Sequence, residues 1–268
     1  MCFVGCNNES EDLPVVNKET TALQGVKSEI TLLNANYKSS LSSQTRMPKW
    51  LRWLIFGAAD TAGAIFGGVG GACGASTLAW TVTKDEVSTK ENTIQTSPEL
   101  AIKPNNTANI EAGDIGYVHN SVITNTLVNN SDIYSRSSED VLNMVFAELD
   151  NLTGTSLSTA QKNEIVRQTN RIIETFDVNK SVDEYYKELI SQTSDLKQKE
   201  ALEVCGLVLD GLQYVDDNNT TYIDDVKQII NNSSLDPELK ATMLDGVSVA
   251  NASAKLWNTN DVAEVRLQ

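Results

Sequence analysis

From residue 18 to 45, apolar residues recur at Leu23, Val26, Ile30, Leu33 and Tyr37, with Leu41 off the strict heptad. Steps of three and four put this stripe on one face of a helix. About two and a half heptads fall short of the roughly three to four that an independent coiled coil needs. The pattern predicts a spacer helix packed on the body, or a weak oligomer seam, ended by Pro48.

The pattern then changes. Trp50 to Trp80 reads WLRWLIFGAADTAGAIFGGVGGACGASTLAW, and between Asp60 and Lys84 lie 23 consecutive uncharged residues. As a helix that length crosses a hydrocarbon core, which takes roughly 20 residues. Composition argues the other way, since six of the 23 are Gly and five are Ala, and each Gly costs a helix in water about 1 kcal/mol relative to Ala. Gly63, Gly67, Gly71 and Ala75 follow at intervals of four, a glycine zipper that lets two helix backbones approach closely. Trp50 and Trp53 at one end and Trp80 at the other, with Arg46, Lys49 and Arg52 beside the first pair, suit two membrane interfaces. Three states fit the segment: a helix or hairpin buried in the protein's own core, a membrane-inserted or oligomeric packing element, and an irregular loop. A phosphate loop is excluded, because no GKS/T or GxGxxG accompanies the Gly67–Gly74 cluster.

Residues 84–112 carry scattered charge, Ser/Thr/Asn and two prolines without periodic apolar positions, and read as a linker. Helices follow with recognisable start signals. Asp114 caps one to about Val128, and Ser137 with Asp140 opens another to about Leu152, stopped near Gly154. Ser158 with Gln161 and Ser181 with Glu184 form capping boxes for 159–176 and 182–192. Helices at about 195–215 and 221–231 come next, and Asp236-Pro237 opens the last, to about Trp257. No period-2 strand run competes. The expected fold is all-α: an N-terminal spacer helix, a glycine-rich apolar helix or hairpin, and a multi-helix C-terminal domain. The expected divisions are 1–17, 18–47, 48–83, 84–112 and 113–268.

Charge supports a boundary after residue 83. The formal net charge is −15, yet residues 1–83 hold six Lys/Arg and six Asp/Glu, so the remainder carries all of it. Without clustered Lys/Arg to neutralise phosphates, nucleic acid is excluded as a partner. Four cysteines with no CxxC pair among them make neither a disulfide scaffold nor a structural zinc site.

No catalytic motif stands out, so no catalytic residue, metal or cofactor is expected. The single histidine, His119, sits among Ile115, Val118 and Val122 and reads as a hydrogen-bonded packing residue. No GxSxG supplies a nucleophile for it. Cys205, in the apolar run Val204–Leu209 with no close basic neighbour, reads as a core residue and not a thiolate. Asp177, Asn179, Ser181, Asp183 and Glu188 match calcium-loop positions 1, 3, 5, 7 and 12, but Val182 replaces the glycine of the sharp turn and Glu184 stands at an aliphatic position. The acidic stretch at Asp216 has Lys227 at its twelfth position and reads as a solvated turn.

Phe3-Val4-Gly5-Cys6 resembles the lipobox of bacterial lipoproteins, with Phe3 where Leu is usual, and five residues precede Cys6 where a leader carries a basic region and an apolar stretch. The acidic Asn7-Asn8-Glu9-Ser10-Glu11-Asp12 that follows is similar to the run after the lipidated cysteine in surface-exposed lipoproteins of Bacteroidetes-type bacteria. The glycine-rich segment also looks like those of class II bacteriocins. Gly116-Tyr117-Val118-His119-Asn120, Asn231-Asn232-Ser233-Ser234-Leu235, Val249-Ala250-Asn251-Ala252-Ser253 and Trp257 resemble helical lipoproteins of the same bacteria, a group without an assigned activity. The resemblance implies lipidation at Cys6 and the bacterial cell envelope, as an outer-membrane lipoprotein; the alternative address is the cytoplasm. Acyl chains contribute about 0.8 kcal/mol per buried CH₂, so multiple chains hold a polar body at a membrane.

Two function classes follow. One is a lipid-anchored helical envelope protein that binds a partner or serves structurally. The other is a membrane-active protein that inserts and oligomerises through its glycine zipper. Partners are thus the membrane, through Cys6 and residues 50–83, an unidentified protein, and a second copy of the chain. The state of residues 50–83, buried in the fold or open to lipid, discriminates the two classes.

Overall fold

A computed structural model describes residues 18–40, 49–83, 115–215 and 221–258, with backbone alone at 18, 49–53 and 258. Cys6, the 84–112 linker, the Asp114 cap and the Asp216 turn lie outside the described residues. Among those described are nine α-helices and no strand: α1 (Lys18–Ser40), α2 (Lys49–Val82), α3 (Ile115–Asn129), α4 (Ser138–Thr153), α5 (Thr159–Thr175), α6 (Val182–Gln192), α7 (Leu196–Leu212), α8 (Thr221–Asn232) and α9 (Pro237–Asn258). The fold is all-α.

The helix starts use the chemistry that their sequences announce. Ser137 accepts from the Asp140 amide at the start of α4, and Gly154, left-handed at φ 66°, ends that helix. Ser158–Gln161 and Ser181–Glu184 close reciprocal capping boxes on α5 and α6, each satisfying two amides that the first turn cannot pair internally.

The centre of the molecule is α2, which is a hairpin. Helical geometry breaks at Gly67 (φ −143°, ψ 18°) and Gly68 (φ 59°, ψ −153°), leaving arms at 49–66 and 69–82. Gly68 occupies a region of backbone space open essentially to glycine alone. The arms fold back so tightly that a Cβ on Gly63 would lie 2.7 Å from the Gly71 carbonyl carbon and 2.8 Å from Ala72 Cα. Residues 55–66 and 70–80 are buried without interruption. A helix apolar on all sides must be enclosed, and α9, α5, α3, α4, α7 and α6 all pack against this one.

The amphipathic helices supply the shell. α1 lies on α7 and α8, burying Leu23, Val26 and Ile30. Its Asn34 Nδ2 donates to the Leu207 carbonyl at 2.8 Å, and the Tyr222 hydroxyl donates to Asn34 Oδ1 at 2.8 Å. The predicted stripe is therefore spent on the body. Side chains from α1 to α9 join one apolar core, so the 18–47, 48–83 and 113–268 segments meet there.

Candidate functional site

The glycine-rich hairpin carries one charged side chain in residues 54–83, Asp60, and a buried polar cluster forms around it. Asp60 is on the first arm and fully buried, as are Ser76 on the second arm, His119 on α3 and Ser253 on α9. The Ser253 hydroxyl donates to Asp60 Oδ2 at 2.5 Å, and the Trp257 indole N–H donates to the same oxygen at 3.0 Å. His119 Nε2 stands 3.5 Å from Oδ2. On its other side His119 Nδ1 lies 2.9 Å from Asn120 Oδ1, while Asn120 Nδ2 donates to the Ala252 carbonyl at 2.8 Å.

Aromatic rings close the cluster. Trp257 stacks on Trp80 with centroids 5.2 Å apart and planes 19° from parallel, and Phe56 packs on Trp257 at 5.2 Å. The cluster is consequently closed off from the protein surface. Among the described residues, Asp60 Oδ1, Ser76 Oγ and His119 Nε2 meet no hydrogen-bond partner. Ser76 lies close enough to favour the ionised carboxylate, but its hydroxyl falls short of hydrogen-bond geometry.

Burial dominates the acid–base behaviour. It pushes the Asp60 carboxyl above its ordinary value, against the pull of His119 and the Ser253 and Trp257 donors. It pushes His119 below the usual histidine value, against the attraction of Asp60 and the Asn120 contact. Both groups move toward their uncharged forms, the expected result when a charge leaves water. The Cys73 thiol is raised far above its normal range by burial and by Asp60.

Serine, histidine and aspartate meet here, but in the wrong order for a nucleophile. Ser253 donates to Asp60, so the imidazole is not placed to take the serine proton, as a charge-relay site requires. In the sequence His119 reads as a packing residue and Asp60 as one boundary of the uncharged run; no spacing signals that the two meet.

Gly63 and Gly71 face each other across the hairpin, Gly67 forms part of the bend, and Ala75 is buried in the second arm. The bend takes these four off a single straight helix face, because the glycines that space the zipper also permit the reversal. Cys205 is buried, and burial pushes its thiol up to about 12. In the calcium-like loop, Lys180 Nζ binds Glu188 Oε2 at 2.6 Å and Ser181 caps α6, so those side chains already serve the fold. No group of three or more His, Cys, Asp and Glu suited to a metal occurs among the described residues.

A surface groove of about 790 Å³ runs between α6 and α7. Val182, Tyr186, Ile190, Leu202 and Leu207 line it, with Lys27, Lys187, Asp183 and Glu203 among the charged groups at its sides.

Compared with protein-family models, curated proteins and solved structures, the chain matches none.

Proposed function

We propose that this is a lipid-anchored helical protein of the bacterial cell envelope, an outer-membrane lipoprotein whose folded body binds a partner or serves structurally. The observation that carries this reading is the burial of residues 55–66 and 70–80 inside the shell of helices. With the hairpin engaged as core, attachment to a membrane falls to an acyl anchor, and the lipobox-like Cys6 is the residue that would bear it. The acidic run after Cys6 and the acidic body suit an exposed, soluble portion. The test is expression of the full open reading frame in a bacterial host. Mature protein should begin at Cys6 and partition into detergent, and Cys6→Ser should release it to the aqueous phase. Protein with an unmodified Met1 that stays in the soluble fraction would overturn the reading and favour the cytoplasm.

A second reading is a membrane-active protein that inserts through its hairpin. It draws on one observation: Leu54–Val82, counted across the bend, is the one described segment with the length and composition to cross a membrane, with mean hydropathy 1.3. Its weakness is that 78% of its apolar window is already buried in the fold. Dye release from phosphatidylcholine vesicles by the Cys6→Ser protein would support it, since no acyl chain could then be responsible.

A further inference from the structure

We infer that Asp60 and His119 together form a buried binding site for a single proton, and that this proton helps hold α3 and α9 on the apolar hairpin. Asn120 Nδ2 donates to the Ala252 carbonyl at 2.8 Å. That bond orients the amide and leaves Oδ1 facing His119 Nδ1 at 2.9 Å. An amide oxygen only accepts, so Nδ1 carries a hydrogen.

A neutral imidazole has one N–H, which leaves Nε2 as a bare lone pair. This lone pair lies 3.5 Å from Asp60 Oδ2, an oxygen that already accepts from Ser253 and Trp257. With no proton between them, Nε2 and Asp60 Oδ1 would meet no donor among the described residues, and a full negative charge would stay buried with only the two donors on Oδ2 to offset it. One proton resolves the conflict, as carboxylic acid against imidazole or as carboxylate against imidazolium. Either way the pair is neutral overall. The opposite shifts of the two groups favour the first form.

The surrounding elements do not compete for this proton. The second arm presents Cys73, a thiol kept protonated by burial. From α6 come Tyr185 and Tyr186, both pushed well up by burial and both sensing Asp60; α7 presents Cys205, also raised, to Tyr186. α9 offers the Ser253 hydroxyl and the Trp257 indole. With those thiols and phenols held neutral by burial, His119 is the group among the described residues whose charge acts on Asp60. Removing the proton leaves a buried anion, and adding a second leaves a buried cation.

The sign of the pH dependence follows from linkage. In the unfolded chain histidine titrates at about 6.5 and aspartate at about 3.9. Above about pH 6.5 the unfolded pair holds no proton while the folded pair holds one, so stability falls as pH rises until the site empties. The unfolding equilibrium changes by up to about tenfold per pH unit there. Between about pH 4 and 6.5 both states hold one proton, and the contribution is level.

Asp60→Asn keeps an acceptor for Ser253 and Trp257 but removes the proton site. The variant should lose the slope above about pH 6.5, and below that value its stability should fall as the unfolded chain's histidine charges. Urea unfolding of both full-length proteins from pH 5 to 8.5 reads this directly, with the difference between them cancelling the other titrating groups. Because the chain has a single histidine, ¹⁵N NMR of imidazole-labelled wild type is unambiguous. Nδ1 should be protonated at pH 7, with Nε2 displaced from the resonance of a bare ring nitrogen. A bare Nδ1, a bare Nε2, or a stability difference between the two proteins that is constant from pH 6.5 to 8.5 would overturn the inference. Should Asp60→Asn not fold, the wild-type spectrum decides alone.

Discussion

A carboxylic acid inside an apolar helix pair is costly unless it is neutral or well paired, since burial of an isolated charge costs several kcal/mol even after relaxation. Asp60 meets that demand by drawing one donor pair from α9 and one imidazole from α3. His119→Gln separates the two titrations. With the base removed, Asp60 remains raised by burial, so its contribution is a gain as pH falls from the folded carboxyl value toward about 3.9. The variant should therefore gain relative stability as pH falls toward about 4, in a range where the wild-type pair is level; equilibrium unfolding at several pH values checks it, and a variant parallel to wild type would contradict the assignment. At this scale the sequence was half legible. One charge in an apolar run and one histidine on an apolar face are both visible as groups in need of partners, but their pairing depends on a long-range approach that no spacing encodes.

The hairpin explains why glycines at different positions in this chain have unlike roles. At Gly63 a Cβ would run into the backbone of Gly71 and Ala72, and backbone cannot move aside as a flexible side chain can. Gly63→Ala should destabilise by about 1–3 kcal/mol, the usual cost of overpacking. Gly68→Ala meets no atom within 4 Å; its cost is the backbone conformation, about 1–3 kcal/mol. Gly25 lies exposed on α1 with nothing within 4 Å of its Cβ position, so Gly25→Ala should stabilise by about 0.5–1 kcal/mol. Denaturant midpoints rank the three, and a stabilising Gly63→Ala would mean the arms are not in contact. Four-residue spacing of glycines announces close backbone approach, but it does not say whether the approach is between straight helices or within one bent segment. Gly67–Gly68 decided that, through a dihedral open to glycine.

At the scale of the whole molecule, the charge-neutral N-terminal region and the acidic C-terminal region are not separate bodies. Leu23 of α1, Ile55 and Leu78 of the hairpin, Val122 of α3 and Trp257 of α9 belong to one core. A shared core that no helix can leave without exposing apolar surface predicts cooperative unfolding. Urea transitions followed by far-ultraviolet circular dichroism and by tryptophan fluorescence should coincide, Trp80 and Trp257 being at the centre. Separated midpoints would mean that hairpin and shell unfold independently.

Helix class, most helix starts and the inward face of α1 were determined by the sequence alone, because they rest on local rules: a serine whose hydroxyl reaches an amide three residues on, and apolar residues repeating at the helical period. Ser158, Ser181, Leu23, Val26 and Ile30 act in the structure as that pattern predicts. The tertiary structure alone decided the state of the glycine-rich segment and the setting of Asp60. A run of 23 uncharged residues satisfies a lipid bilayer and a protein interior equally well, since both reward removal of apolar surface from water. Only α3, α5 and α9 around the hairpin, with Ser253, Trp257 and His119 brought to one carboxylate, show the segment folded back on itself and buried among the other helices.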